Sequence, residues 1–195
     1  MVASLINIKT KTTKGANVVE IAVLAAKAAK GDSDAFVQLV QQLEGSLYYM
    51  ARSLLGKEED VADALQETIL KAFKSIGTLR EPKFFKTWLF RILINECNNI
   101  GSKRSRTIAY AEIPATAASM GGYEMVDLRE SVERLEEPQR TVVILHYFED
   151  LPLRQVAEVL SISESAVKMR LSRARQALKH SLPNIQEGKM NYGSI

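Results

Sequence analysis

The chain is poor in the residues that build metal centres and catalytic sites. Its 195 residues include one cysteine, Cys97, and two histidines, so an internal disulfide is impossible and a zinc site has almost no ligands. The glycine-rich loops that bind nucleotide phosphates and the GxSxG motif of serine hydrolases are absent. The sequence therefore predicts a protein that is not an enzyme and that holds no metal and no cofactor. A buried and inert thiol is the state expected for Cys97.

Long hydrophobic runs are also missing. No stretch approaches the roughly 20 apolar residues of a membrane helix, and residues 1–20 lack the apolar segment of a signal peptide. Hydrophobic residues make up 46% and charged residues 25% of the chain, as in ordinary globular proteins. A cytoplasmic protein without direct membrane insertion is expected.

The small net charge of +3 conceals two basic segments. Residues 80–106 carry five more basic than acidic side chains, and residues 162–182 carry four more. Acidic segments separate them. The pattern predicts two surfaces that face a polyanion and at least one that faces something else.

Apolar residues at three- and four-residue spacing predict an all-α protein. Asp32 and Ser33 are expected to cap one helix, Gly77 and Gly101 to end two others, and Pro138 to open a fourth. A stripe of Val61, Leu65, Ile69 and Phe73 is expected to be the apolar side of one of them. The predicted helices cover residues 22–30, 33–55, 58–76, 83–100, 127–135, 139–148, 153–160 and 164–182.

Residues 102–126 lose this periodicity and contain a proline, a glycine pair and several small residues, which is typical of a flexible linker. Two small helical domains are therefore predicted. The expected division is an N-terminal extension at 1–19, a first domain at 20–101, the linker at 102–126, a second domain at 127–183 and a tail at 184–195.

The last two predicted helices have the spacing of a helix-turn-helix, whose second helix enters the DNA major groove. Its interior is predicted to contain Val156, Ala157, Leu160, Ile162, Val167 and Leu171. The opposite face presents Ser165, Lys168, Met169, Ser172, Arg173 and Gln176, which include donors suited to base edges. Arg170, Arg175 and Lys179 are better placed for phosphates. The alternative is a basic helix packed in an ordinary bundle, which explains the ordered short helix, turn and long helix less well.

The basic segment 80–106 interleaves aromatic and cationic side chains, a combination suited to single-stranded nucleic acid. Phe84, Phe85 and Trp88 alternate with Arg80, Lys83, Lys86 and Arg91, and Asn95, Lys103, Arg104 and Arg106 follow. The alternative is that at least half of the aromatic residues are simply core.

Acidic residues cluster on one face of the second long helix. Asp60, Asp63 and Glu67 share this face with Gln66. Without a histidine, a metal site is disfavoured. From the residues alone, a solvated face with a Glu67–Lys71 pair is the better interpretation.

Three stretches, taken in order, resemble a bacterial sigma factor of the sigma-70 family, in its small extracytoplasmic-function group. They are DVADALQETILKAFKSI at 60–76, FFKTWLFRILINECNNIGSKRSR at 84–106 and LEEPQRTVVILHYFEDLPLRQVAEVLSISESAVKMRLSRARQAL at 135–178. The resemblance covers residues 24–182. It implies a promoter-melting region 2 in the first domain and a helix-turn-helix region 4 in the second, with no room for the domain that larger sigma factors have between them.

The resemblance also implies partners: core RNA polymerase through its β′ clamp coiled coil and its β flap, promoter DNA, and an anti-sigma factor. Asp60, Asp63, Gln66 and Glu67 would contact the polymerase. The −35 element would be bound by Lys168, Met169, Arg170, Ser172, Arg173 and Arg175. The melted −10 strand would be bound by Arg80, Lys83, Lys86, Trp88, Asn95, Lys103, Arg104 and Arg106.

One departure from the family concerns the tight turn, where Ser161 replaces the usual glycine. Two other interpretations stay open at this point. A stand-alone helix-turn-helix regulator would dimerise and bind a palindrome without polymerase. A helical interaction adaptor would show no salt-dependent DNA affinity.

Overall fold

The structure is a computed structural model that describes residues 14–108 and 125–181. Within these ranges the regular secondary structure is helical and contains no strand, which confirms the all-α prediction. The α-helices are α1 (Lys14–Ala28), α2 (Ser33–Leu55), α3 (Glu58–Ser75), α4 (Phe85–Ile108), α5 (Met125–Glu133), α6 (Glu137–Val143), α7 (Leu153–Leu160) and α8 (Glu164–Ser181). Short 3-10 turns occupy Ile76–Thr78 and Pro82–Phe84, and a π-helical segment, Ile144–Phe148, extends α6.

Capping residues fix both ends of α2 where the sequence places them. The Asp32 carboxylate accepts a hydrogen bond from the Ala35 N–H at 2.9 Å. At the other end Gly56 adopts φ 75°, and its N–H donates to the Arg52 carbonyl. Glycine reaches this left-handed region without the steric cost that a Cβ imposes, so the helix stops there.

Three predicted helix boundaries are wrong. The first helix begins at Lys14 and not at residue 22, so residues 14–19 of the predicted extension are helical. Gly77 is not a left-handed cap: it lies in the 3-10 turn after α3, in which the Leu79 N–H donates to the Ile76 carbonyl. Ile76, the first residue of this turn, is buried. Gly101 does not end α4, which continues to Ile108. One glycine costs only about 1 kcal/mol inside a helix, and Lys and Arg favour helix after it. The basic run at 103–106 therefore extends the helix and is not part of the linker.

The N-terminal helices pack around α2 and α4. Leu39, Leu47 and Met50 of α2 are fully buried, as are the aromatic residues Phe85 and Phe90 of α4. The C-terminal helices α5 to α8 surround a second set of buried residues: Val132, Ile144, Leu145, Val156, Val167 and Leu178. The two sets are continuous, because α6 packs on α2 and α7 packs on α4.

The apolar side of α3 differs from its prediction at one residue. Phe73 is 52% exposed, whereas Thr68 and Ala72 are completely buried. An α-helix has 3.6 residues per turn, so three turns take about eleven residues. The residue on the same face as Val61, three turns later, is therefore Ala72 and not Phe73. Phe73 instead meets the edge of the Phe36 ring, with centroids 5.2 Å apart.

Candidate nucleic-acid interface

Helices α7 and α8 and their short connection form the predicted helix-turn-helix. Val156, Ala157, Val167 and Leu171 are buried between the helices, and Leu160 and Ile162 pack against them half-buried. The Ile162 N–H donates to the Ala157 carbonyl at 3.1 Å and closes the turn. The interior residues inferred from spacing are therefore confirmed.

The turn holds Ser161 in a conformation that disfavours a side chain. Its φ of 53° and ψ of 41° lie in the left-handed region, which costs an L-residue with a Cβ roughly 1 kcal/mol. Ser163 directly precedes α8, and its hydroxyl accepts a hydrogen bond from the Ala166 N–H at 3.1 Å. One serine is therefore strained, and the other caps α8.

We expect Ser161→Gly to raise the free energy of unfolding by about 0.5–1 kcal/mol, because relief of the strain exceeds the added entropy of the unfolded chain. Thermal denaturation followed by circular dichroism measures the effect. Ser163→Ala is the comparison and should lose about 1 kcal/mol with its cap. Equal stability of Ser161→Gly and the parent chain would show that this backbone carries no strain.

The outward side of α8 is a basic surface. Lys168, Ser172, Arg173 and Arg175 are exposed, and neither Lys168 nor Arg173 has an ion pair within the described part of the chain. Met169 is half exposed at 50%. Arg170 lies at the margin and is partly buried. The predicted base-facing side is thus presented to solvent as one row.

The aromatic side chains just before and within α4 differ in their burial. Phe85 is completely buried, whereas Phe84 is exposed and carries the Lys83 ammonium 5.0 Å from its ring centroid. Trp88 is half-buried. It lines a cavity of about 250 Å³ whose lining residues are Leu79, Arg80, Glu81, Phe84, Thr87, Trp88, Arg91 and Glu158. Phe85 therefore belongs to the core, whereas Phe84 and Trp88 keep ring surface at this cavity.

The cations predicted around this cavity have different environments. Arg80 and Lys83 are exposed, and so is Asn95. Lys86 points to the second domain, where it pairs with Glu149 at 2.8 Å. The side chains of Lys103, Arg104 and Arg106 lie outside the described side chains, although their backbone belongs to α4.

Acidic residues of α3 line one side of an open cleft of about 850 Å³. Asp63, Gln66 and Glu67 are exposed there, and Asp60 at the start of the helix is half-buried. The other lining residues are Lys71, Glu96, Asn99, Ile100 and Ser102.

The predicted Glu67–Lys71 pair is not formed. Lys71 instead bridges to Glu96 of α4, with Nζ 2.7 Å from Oε1. The Glu96 side chain is largely buried and the Glu67 side chain is exposed, so Lys71 neutralises the more costly carboxylate. Glu67 stays available on the surface. Sequence reasoning overlooked Glu96, although it is the one charge in the run ILINECNN.

Cys97 is buried in α4, as the sequence predicts. Burial, with a smaller contribution from the neighbouring Glu96, raises the pKa of its thiol to about 12. A thiol that stays protonated at neutral pH is a poor nucleophile. Among the residues that the structure describes, no cluster of ligating side chains could hold a metal ion, and no helix is long and apolar enough to cross a membrane.

Comparison with known proteins agrees with this architecture. The family model described as sigma-70 region 2 matches residues 39–107, and that of sigma-70 region 4 matches residues 125–178. RNA polymerase sigma factor SigV of Bacillus subtilis is 31% identical over 135 residues, which are 68% of this chain and 81% of SigV. ECF RNA polymerase sigma factor SigW of the same organism is 28% identical over 174 residues, covering 80% and 93% of the two chains.

A solved structure shows the same fold. It is the sigma factor RpoE from Bartonella quintana in complex with the anti-sigma factor NepR, with a TM-score of 0.65 and 25% identity. The match covers 77% of this chain and 98% of that one. With two family regions in order and relatives aligned over most of their length, the chain belongs to the extracytoplasmic-function group of the sigma-70 family of RNA polymerase sigma factors.

Proposed function

We propose that this transcription-initiation factor binds core RNA polymerase and reads the promoter at two places, the −35 duplex and the melted −10 non-template strand. The observation that carries the proposal is the exposed set of basic residues on α8 of the helix-turn-helix, of which Lys168 and Arg173 have no ion pair among the described residues. The catalysis of RNA synthesis belongs to the polymerase, so the chain itself acts by binding and is not an enzyme. It works in the cytoplasm, where the polymerase is.

The −35 duplex is assigned to the second helix of region 4. Lys168 and Arg173 can donate to guanine edges, and Ser172 can serve either type of base pair. Arg170 and Arg175 lie beside them and are assigned to phosphates, which fix the register of the helix without reading sequence. Met169 projects from the same face and adds apolar contact.

The −10 strand is assigned to the cavity beside Trp88. A flipped base needs a stacking surface and a cationic path for its backbone, because leaving the duplex costs a few kcal/mol. The half-buried indole supplies the surface, and Arg80 and Lys83 supply exposed charge. Asn95 lies about two turns farther than Trp88 along the same side of α4 and can donate or accept hydrogen bonds there. Lys86 and the basic run at 103–106 are assigned to the same strand.

The polymerase is assigned to the acidic cleft of α3. Asp63 and Glu67 are exposed carboxylates, and Gln66 lies between them. They suit a basic partner such as the β′ clamp coiled coil, and Asp60 stands at the margin. Region 4 is assigned to the β flap, which would place α8 on the duplex at a fixed distance from region 2.

An anti-sigma factor is the third proposed partner. The similar sigma factor RpoE was solved with the anti-sigma factor NepR. The same two-region fold in this chain offers corresponding surfaces for an inhibitor of that kind.

The direct test is size-exclusion chromatography of the purified protein with core RNA polymerase of its host. Co-elution that a known sigma factor displaces would support a shared docking site. Failure to co-elute would contradict the polymerase role and favour a stand-alone helix-turn-helix regulator. That regulator would bind a palindromic site as a dimer without polymerase.

Trp88→Ala should slow promoter melting by about tenfold or more, because loss of a base-stacking ring removes about 1–3 kcal/mol. Formation of the closed promoter complex should change little. Permanganate reactivity of the −10 thymines measures melting, and electrophoretic mobility measures the closed complex. Thermal denaturation is the control: if the first domain loses stability in proportion, Trp88 is only a core residue.

A further inference from the structure

The two domains meet through a charged pair that none of the promoter contacts requires. Lys86 Nζ lies 2.8 Å from Glu149 Oε2 and donates to the Glu149 backbone oxygen at 2.7 Å. The Glu149 side chain is 5% exposed and that of Lys86 is 26% exposed. Solvent and salt screen such a withdrawn pair much less than a surface pair. Lys86 of region 2 is therefore engaged by region 4.

Further contacts surround this pair. The Thr87 hydroxyl donates to Gln155 Oε1 at 2.8 Å. The rings of Tyr49 and Phe148 lie 5.7 Å apart, and Phe148 closes the π-helical segment that also positions Glu149. Farther along the interface, Arg140 Nη2 donates to the Ser53 carbonyl at 2.6 Å and satisfies one of the last carbonyls of α2. Region 4 is thus fitted to region 2 at several points.

The fitted surface includes the cavity assigned to the −10 strand. Glu158 of α7 lines that cavity together with Arg80 and Trp88 of region 2. Glu158 is paired with Arg154 at 3.1 Å, so the obstacle to a DNA strand is chiefly steric: α7 and this ion pair occupy space beside the indole. Entry of the DNA strand and the packing of region 4 therefore compete for the same face.

We propose that this closed arrangement is a resting state of the free protein, in which region 4 covers the −10-reading face and the Lys86–Glu149 pair is the latch. When the domains separate, Lys86 exchanges the Glu149 carboxylate for a DNA phosphate. The proposal rests on the proposed function, because the covered face is the one assigned to the −10 strand.

The closed arrangement leaves the other proposed surfaces accessible. Asp63 and Glu67 are exposed on α3, and Lys168 and Arg173 are exposed on α8. The polymerase can therefore dock on the acidic cleft before region 4 is displaced. The expected order is docking first, opening second and capture of the −10 strand last.

Trp88 is the single tryptophan of the chain and reports on the latch without a label. Glu149→Gln keeps the side-chain volume and leaves the Lys86 charge without its partner, which should shift the closed-to-open ratio by roughly tenfold or more towards open. Acrylamide quenching of Trp88 should rise, and the radius of gyration from X-ray scattering should increase. Glu137→Gln removes an exposed charge of region 4 and is the matched control, with no expected change.

Helix content decides what an increase in quenching means. The latch is supported if ellipticity at the helix band is unchanged while Trp88 becomes accessible. It is overturned if quenching and scattering equal those of the parent chain, or if Trp88 is fully accessible in the parent. If Glu149→Gln loses helix content, Gln155→Ala is the deciding variant, because it removes the hydrogen bond to Thr87 and leaves the Lys86–Glu149 pair in place. Greater accessibility of Trp88 in Gln155→Ala supports the closed state. Unchanged accessibility overturns it.

A second measurement separates this proposal from the promoter assignment. A short oligothymidylate is added to each variant, and its binding is followed by Trp88 quenching and by anisotropy of a dye on the DNA. Tighter binding to Glu149→Gln than to Glu137→Gln supports both the latch and the −10 face. If the domains of Glu149→Gln separate but the oligothymidylate binds no more tightly, the latch is supported and the assignment of the −10 strand to this face is contradicted.

Discussion

Asp63→Lys combined with Glu67→Lys is expected to weaken binding to core RNA polymerase by about 100-fold. Loss of one partner from a charge pair that becomes buried in an interface costs about 2–5 kcal/mol, and charge reversal adds repulsion. Both carboxylates are exposed and line the same open cleft. Neither has an ion pair in the described part of the chain. Their replacement therefore breaks no ion pair among the described residues, and the fold should persist.

The measurement is competition with a labelled sigma factor for core polymerase, repeated at two salt concentrations. Glu44→Lys with Glu133→Lys is the matched control, since both residues are exposed and lie away from the cleft while the change in net charge is the same. This control should retain the parent affinity. An equal loss in both variants would mean that total charge matters and that the cleft is not the docking site.

Lys71 lines the same cleft and pairs with Glu96 of α4, which connects α3 to α4, and it does not pair with Glu67. This arrangement explains why Glu67 is free to face a partner, which the sequence alone does not indicate. An i to i+4 spacing made Glu67 the expected partner of Lys71, but the buried carboxylate has the greater need for a counter-charge.

Local pattern predicted the helix-turn-helix well. α7 begins and ends at Leu153 and Leu160 as expected, and its apolar residues are buried as expected. Both results depend on contacts within about 25 residues, where periodicity and turn chemistry carry the information. Ser161 is also explained by local geometry. The short connection between the two helices requires a left-handed backbone conformation at this position, whichever side chain the residue carries.

The contacts between domains could not be predicted in this way. Lys86 and Glu149 lie 63 residues apart, and Thr87 and Gln155 lie 68 apart. No periodicity relates them, and a cation in an aromatic, basic segment has the same sequence signature whether it faces a carboxylate or a phosphate. The length of α4 was missed for a different reason, because a single glycine carries little weight against a run of strong helix formers.

Lys168→Ala combined with Arg173→Ala should abolish preference for the −35 element, with a loss of roughly 100-fold in discrimination between the correct and a scrambled element. Each good bidentate contact to a base distinguishes it from the wrong one by about 1–3 kcal/mol. Both side chains are exposed on α8 and free of internal ion pairs among the described residues. The helix should fold normally without them.

Arg175→Ala separates base reading from phosphate contact. It should weaken binding to the correct and the scrambled element alike and reduce the dependence of affinity on salt by about one counterion. Arg134→Ala removes an exposed cation outside α8 that is in an ion pair with Glu130, and it should alter neither quantity. Filter binding of polymerase holoenzyme to the two promoters over a range of salt concentrations distinguishes the three variants. Unchanged discrimination by the double variant would mean that α8 holds the backbone only, so that −35 selection depends on another part of the chain.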